Sequence, residues 1–194
     1  MKHLYEFLAV TEDISYLKKF CYDNNWLIKC HIAQNSNCPI DILEKYYKFN
    51  HNNHYNIFSY IVRNPNCPVY LLEKILKKLK YYDVDVKKLI AKHPNCSIHI
   101  IKKLIKEKNL AINFSIAENN NVTENILNKL LNLNKNHYII INIIKNKNCT
   151  LKILKKIYKE TVKYNEIVKY NNDIGKMIIN EIMNNDKWVL RDFI

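Results

Sequence analysis

Ile90-Ala91-Lys92-His93-Pro94-Asn95-Cys96-Ser97 is the stretch that decides the fold, because it recurs. Close copies are Ile32-Ala33-Gln34-Asn35-Ser36-Asn37-Cys38-Pro39 and Ile61-Val62-Arg63-Asn64-Pro65-Asn66-Cys67-Pro68. Shorter copies are Ile116-Ala117-Glu118-Asn119, Ile143-Ile144-Lys145-Asn146 and Ile167-Val168-Lys169-Tyr170. They start at 32, 61, 90, 116, 143 and 167, so 24 to 29 residues separate successive copies. That is the period range of stacked repeats, in which each unit leaves an apolar face that only its neighbours can cover. A stack offers a long surface rather than a deep pocket, which points toward binding and away from catalysis.

Outward from the quoted stretch, Val86, Leu89 and Ile90 fall at i, i+3, i+4 and predict a short first helix after Asp83. Pro94 disfavours helical geometry at His93, as Pro65 does at Asn64, and ends it. Cys96-Ser97, Cys67-Pro68 and Cys38-Pro39 then open a second helix, with proline expected at the first helical position. This helix carries aliphatic pairs one turn apart: Ile100-Ile101 with Leu104-Ile105, Leu71-Leu72 with Ile75-Leu76, and Ile126-Leu127 with Leu130-Leu131. Ile153-Leu154 with Ile157-Tyr158, and Met177-Ile178 with Ile182, fit the same slots. Asn25-Trp26-Leu27-Ile28-Lys29 and the segment 186–194 have the shape of further first helices. The expectation is an all-α protein of about six helical repeats, with residues 1–24 as an N-terminal helical cap and 25–194 as one continuous solenoid. Tyr16-Leu17-Lys18-Lys19-Phe20 reads as a degenerate second helix inside that cap.

Asp83 to Ile101 and Ile61 to Leu72 resemble the repeat of the leucine-rich repeat variant family, whose order is Asp, an apolar pair, Asn-Pro-Asn, Thr or Cys and a following Leu, and the resemblance spans residues 25–194. The resemblance implies a right-handed superhelix, an α-solenoid that alternates short 3₁₀-like helices with α-helices. It implies a scaffold rather than an activity.

With 48% apolar side chains and no apolar run of roughly 18 residues, the chain can bury a core and has no membrane span in its pattern. Glu6, Glu12 and Asp13 interrupt the N-terminus, against a signal peptide, so a cytoplasmic, reducing setting is expected for the six cysteines. Cys38, Cys67, Cys96 and Cys149 occupy one slot of different repeats, with Val122 in that slot of the fourth copy. Helices pack about 8–10 Å apart, whereas thiolates must lie about 2.3 Å from a shared zinc. These cysteines therefore read as small buried residues. With only Cys21 and Cys30 left over and no C-x-x-C, no metal or other cofactor is expected.

The net charge of +13 rests on 31 basic against 18 acidic side chains. Lysines fill two slots three residues apart in the second helix: Lys45 and Lys48, Lys74 and Lys77, Lys103 and Lys106, Lys156 and Lys159, with Lys129 beside Asn132. Arg63, Lys92, Lys145 and Lys169 add a row at the end of the first helices. Such an array suits an acidic macromolecule, nucleic acid or an acidic protein segment, and is strongest around Lys102, Lys103, Lys106, Lys155, Lys156 and Lys159. Glu44 and Glu73 weaken it toward the N-terminal end. A solvated surface repeated with the rest of the unit is the competing reading. Tyr46, Tyr47 and Tyr158 fall in core-type slots rather than on a base-stacking surface.

No catalytic motif is present, and a chain whose single glycine is Gly175 cannot build a phosphate-cradling glycine loop. His51 and His54 lie in a polar connection without a nearby carboxylate. Three functional expectations result: a non-catalytic scaffold for an extended acidic partner, a protein-interaction scaffold using its concave face, and a base-excision type enzyme. The last needs a catalytic carboxylate among Asp41, Asp83, Asp85 and Asp173. The half-repeat at the end offers a surface for end-to-end homodimerisation.

Overall fold

Asn25, Asn109 and Asn136 each turn the chain into a helix by accepting backbone N–H groups of the first turn on their side-chain oxygen. In the computed structural model, which describes residues 2–48, 55–134, 136–167 and 173–185, thirteen α-helices follow one another, with no strand among the described residues. The chain divides into two compact units, Met1–Ile100 and Ile101–Ile194.

The first unit holds α1 (Lys2–Val10), α2 (Ile14–Phe20), α3 (Trp26–Gln34), α4 (Ile40–Lys48), α5 (Tyr55–Arg63), α6 (Val69–Lys78), α7 (Val84–Lys92) and the start of α8 (Ile98–Ile105). The odd-numbered helices pack one on the next, α1 on α3, α3 on α5 and α5 on α7, and the even-numbered helices fill in behind them. In the second unit, α9 (Leu110–Glu118), α11 (His137–Lys145) and α13 (Asp173–Met183) repeat that packed row, accompanied by α10 (Glu124–Leu133) and α12 (Leu151–Ile167). Within each unit this is a ladder of helix pairs.

The Ile-Ala slots expected to be core are core: Ile32, Ala33, Ile61, Val62, Ile90, Ala91, Ile116, Ala117, Ile143 and Ile144 are all buried. The paired aliphatics of α8 and α10 are buried in full, whereas Leu76 and Tyr158 are only half-buried. In α7, Leu89 is half-buried and Lys87 is 4% exposed in its stead. The cause is that a first helix has neighbours on two sides, so its buried surface is wider than the single face that sequence spacing marks.

Four expectations need correction. The resemblance to the leucine-rich repeat variant family does not hold: a leucine-rich repeat sets a strand in every unit, and the described residues contain none. The first helices are α-helices of nine residues, not 3₁₀ turns. Pro68 stands at the N-cap of α6 with extended backbone, one residue before the helix, where its carbonyl accepts from Leu71 and Leu72. The sixth copy also shifts. Ile167 ends α12, a helix of 17 residues, and α13 packs on α11 as a first helix, so Ile182-Met183-Asn184-Asn185 takes the place expected of Ile167-Val168-Lys169-Tyr170. Val168, Lys169, Tyr170 and residues 186–194 lie outside the described residues, as do His51 and His54.

Candidate functional site: the turn ladder and the lysine face

The recurrent asparagines of the repeat are structural. Asn64 donates both side-chain N–H bonds to the turn of the preceding pair, to Ala33 O at 2.9 Å and Asn35 O at 2.6 Å. Its Oδ1 accepts the Asn66 N–H within its own turn at 2.9 Å. Asn146 repeats this on Ala117 O, Asn119 O and the Asn148 N–H, and Asn35 does so on Leu8 O, Thr11 O and the Asn37 N–H. A second rung comes from Asn66 to Ser36 O, Asn95 to Pro65 O and Cys67 O, and Asn148 to Asn120 O and Val122 O. One amide thus closes its own turn and satisfies carbonyls that a helix C-terminus leaves open. Asn185 donates to Ile144 O at 2.8 Å, which independently places it in this slot.

His93 takes the asparagine position in α7's turn and performs the same two tasks. Asn95 N–H donates to Nδ1 at 3.0 Å, so the ring proton sits on Nε2, which donates to Asn64 O at 2.8 Å. Burial holds the His93 pKa below its ordinary 6.5, opposed by the hydrogen bond to Asn64. Asp83 is likewise structural, its carboxylate accepting from Lys80 N–H at 2.6 Å rather than capping α7.

All six cysteines are buried and free. Burial pushes Cys30, Cys38, Cys67 and Cys96 up to about 12, so at neutral pH they are thiols with little nucleophilic or metal-ligating capacity. Cys38, Cys67, Cys96 and Cys149 each donate a turn N–H to the ladder residue three positions back. No group of His, Cys, Asp or Glu among the described residues is arranged to hold a metal ion. Asp41, Asp85 and Asp173 are exposed, Asp85 and Asp173 beside Lys88 and Lys176, and no carboxylate is buried among the described residues. A shallow depression of about 470 Å³ lies between the turns at 121–124 and 147–150, but its carboxylate, Glu124, already accepts from the Thr150 hydroxyl.

The two basic rows expected from the sequence start from different helices. Arg63, Lys92 and Lys145 end the first helices, whereas Lys74 and Lys77 lie five and eight residues into α6. The first row is also occupied internally: Arg63 lies over the Tyr60 ring and donates to Ser59, and Lys145 pairs with Glu181 at 3.3 Å. Glu118 stands in the equivalent place of α9.

The second-helix row is different. Lys74, Lys77, Lys103, Lys106, Lys129 and Lys159 are exposed, and among the described residues none is paired with a carboxylate. Lys156 is half-buried and donates to Asn132 Oδ1. In the first unit, aromatic rings take up part of the charge: Lys45 lies over Tyr22, Lys74 over Tyr70 and Lys78 over Tyr47. Tyr46 is buried, Tyr47 stacks on Phe58, and Tyr158 is half-buried, which leaves none of the three presented for stacking. Sequence reasoning missed both rings: Tyr22 lies 23 residues from Lys45 and carries no spacing signal, whereas the i, i+4 spacing of Tyr70 and Lys74 was there to be read.

Ladder and face together define an all-α helical-repeat protein with a lysine-bearing row on its second helices. No helix among the described residues is long and apolar enough to cross a membrane. No known protein family, curated protein or solved structure matches the chain.

Proposed function

We propose that this chain is a non-catalytic helical-repeat scaffold whose second-helix lysines hold an extended nucleic-acid strand. The observation that carries the reading is the exposure of Lys103, Lys106, Lys129 and Lys159 without carboxylate partners, in a chain of net charge +13. Lysines that serve only as solvated surface are commonly interspersed with acidic residues, and here the acidic side chains do not reach this row. A regularly spaced row fits a regularly charged partner, and a phosphodiester backbone carries a charge at every nucleotide. Each phosphate neutralised releases counterions, so affinity falls with salt. Arg63, on the Tyr60 ring and Ser59, and Lys145, paired with Glu181, are expected to contribute less.

Fluorescence anisotropy of labelled single- and double-stranded DNA and RNA over a salt series tests this. Binding at micromolar concentration or tighter is expected, with loss of at least about tenfold when Lys103, Lys106, Lys156 and Lys159 are changed together to Glu. Unchanged binding by that folded variant overturns the assignment of the face. Stronger capture of polyglutamate than of nucleic acid would transfer the site to an acidic protein segment.

A second reading, a protein-interaction scaffold, rests on the half-exposed ring ladder Tyr5, His31 and Tyr60 along α1, α3 and α5, with centroids 5.4 and 6.5 Å apart. Association with a protein partner that is insensitive to salt and lost in Tyr60→Ala would favour it.

A further inference from the structure

The stretch Lys77-Lys78-Leu79-Lys80-Tyr81-Tyr82-Asp83 carries the chain out of α6 and into α7. Leu79 caps α6 by donating to Ile75 O and Leu76 O, and the next four residues form a tight turn that is closed twice. The Asp83 N–H donates to Lys80 O at 3.2 Å, and the Asp83 carboxylate accepts the Lys80 N–H at 2.6 Å. Between these closures stand Tyr81 and Tyr82, 77% and 66% exposed. Two large rings are thus held out in water on a turn whose backbone is fixed at both ends. The repeat does not demand them. The corresponding described turns, Cys21-Tyr22-Asp23-Asn24-Asn25 and Lys106-Glu107-Lys108-Asn109, hold one ring and none. Cations lie on the same stretch: Lys77, Lys78 and Lys80 are exposed, and Lys80 Nζ is 5.8 Å from the Tyr82 ring centroid. On the α7 side the acidic groups are already engaged, Asp83 in closing the turn and Asp85 with Lys88 at 3.0 Å.

From this we infer that the Tyr81–Tyr82 turn is a base-stacking platform and that the strand this protein holds is single-stranded. The inference rests on the nucleic-acid reading above and deepens it by naming the class of strand. A ring on a fixed backbone loses little freedom when a second π-face covers it. Stacking on it tolerates any base, because every base has such a face. Unpaired bases offer that face, whereas in a duplex the faces of each base are already covered by its neighbours. Lys77, Lys78 and Lys80 put positive charge beside the platform for the phosphates of the same nucleotides.

The experiment is anisotropy of three fluorescein-labelled ligands against the full chain over a salt series: an oligodeoxythymidylate, an abasic deoxyribose-phosphate strand of the same length, and a DNA duplex. Tyr81→Leu and Tyr82→Leu, singly and together, remove the π-faces, and Tyr81→Phe with Tyr82→Phe keeps them. Tyr138→Leu, at a position 59% exposed in the second unit, is the control. The unaltered protein is expected to bind the oligodeoxythymidylate more tightly than the duplex. Each single Leu change should weaken that binding by at least about fivefold. The salt slope should not change, since no phosphate contact is lost, and the abasic strand should bind all variants alike. The Phe pair and the control should match the unaltered protein. Undiminished oligodeoxythymidylate binding by the double Leu variant, an equal loss on the abasic strand, a loss in the Phe pair as large as in the Leu pair, or a preference for duplex overturns the platform while leaving the nucleic-acid reading in place. An equal loss on labelled polyglutamate, which has no bases, also overturns it and reassigns the turn to an acidic peptide. Absence of binding to all three ligands by the unaltered protein overturns the nucleic-acid reading itself.

Discussion

A buried amide that both donates and accepts is the smallest unit on which this architecture depends. Asn64 makes three hydrogen bonds, and the two to the neighbouring pair are buried. Hydrogen bonds of this kind contribute about 1 kcal/mol each, and an unmade one in a buried site costs about 1–3 kcal/mol. His93 shows how narrow the requirement is, since only the neutral ring with its proton on Nε2 reproduces the amide. Protonation places a second N–H on Nδ1, facing the Asn95 N–H. The unfolded chain takes up that proton near 6.5, whereas burial makes the folded chain resist it to lower pH. In that window the unfolded state binds more protons, so stability is complete above about 6.5 and declines as pH falls below it. His93→Asn restores the ladder residue and is expected to flatten this decline. Urea denaturation midpoints at pH 7.5 and at pH 5.5 check it: the variant's difference between the two should be smaller than the wild type's.

At the scale of the element, α12 departs from the pattern. Other second helices have seven to ten residues, whereas α12 has 17, and the ladder asparagines Asn146 and Asn185 are 39 residues apart instead of 26 to 29. Helical propensity continues through Lys155-Lys156-Ile157-Tyr158-Lys159-Glu160, with no Gly or Pro before Asp173 to stop it. The Ile-Val pair at 167–168 imitates the end of a first helix, which is why the period reads as unbroken. Packing separates the two registers. The sequence register makes Met177 a core residue of a second helix, whereas α13 lies on α11 with Ile182 fully buried and Met177 40% exposed. Ile182→Ala is expected to destabilise by about 2–5 kcal/mol and Met177→Ala by less than about 0.5 kcal/mol. Chemical denaturation of the Met177 variant decides between the registers, because Ile182 is core in both, and a cost of about 2 kcal/mol or more at Met177 would restore the sequence one.

Taken over the whole chain, the small slot at the head of each second helix is filled by a side chain that never meets solvent. All six thiols are buried, and four of them repeat in that slot beside Val122. The native protein should therefore react slowly with a thiol reagent such as dithionitrobenzoate, and release the full complement of six only after denaturation. Rapid reaction of one or more thiols in the native state would show that a turn opens independently of the rest. Several lysines have the opposite distribution: Lys74, Lys77, Lys103, Lys129 and Lys159 are exposed on second helices and Lys106 in the turn after α8, where charge is retained at little cost of desolvation.

The helical class, the first five Ile-Ala core slots, the buried cysteine slot and the exposure of most of the second-slot lysines were legible in the sequence by itself. Each is a periodic property of short segments, and periodicity in composition translates directly into which side of a helix is apolar. Three things required the tertiary structure. The choice of Ile182 over Ile167 depends on which helix α11 accepts beside it. The fate of each basic residue depends on what the adjacent pair presents to it, a carboxylate for Lys145, an amide for Lys156, a ring for Lys45, and nothing among the described residues for Lys129. The role of His93 depends on two backbone groups, one of them 29 residues away, whose positions only folding supplies. The common reason is that a repeat records in its own sequence what it buries, while the partner of a polar side chain belongs to the neighbouring repeat and is fixed only when the two are packed together.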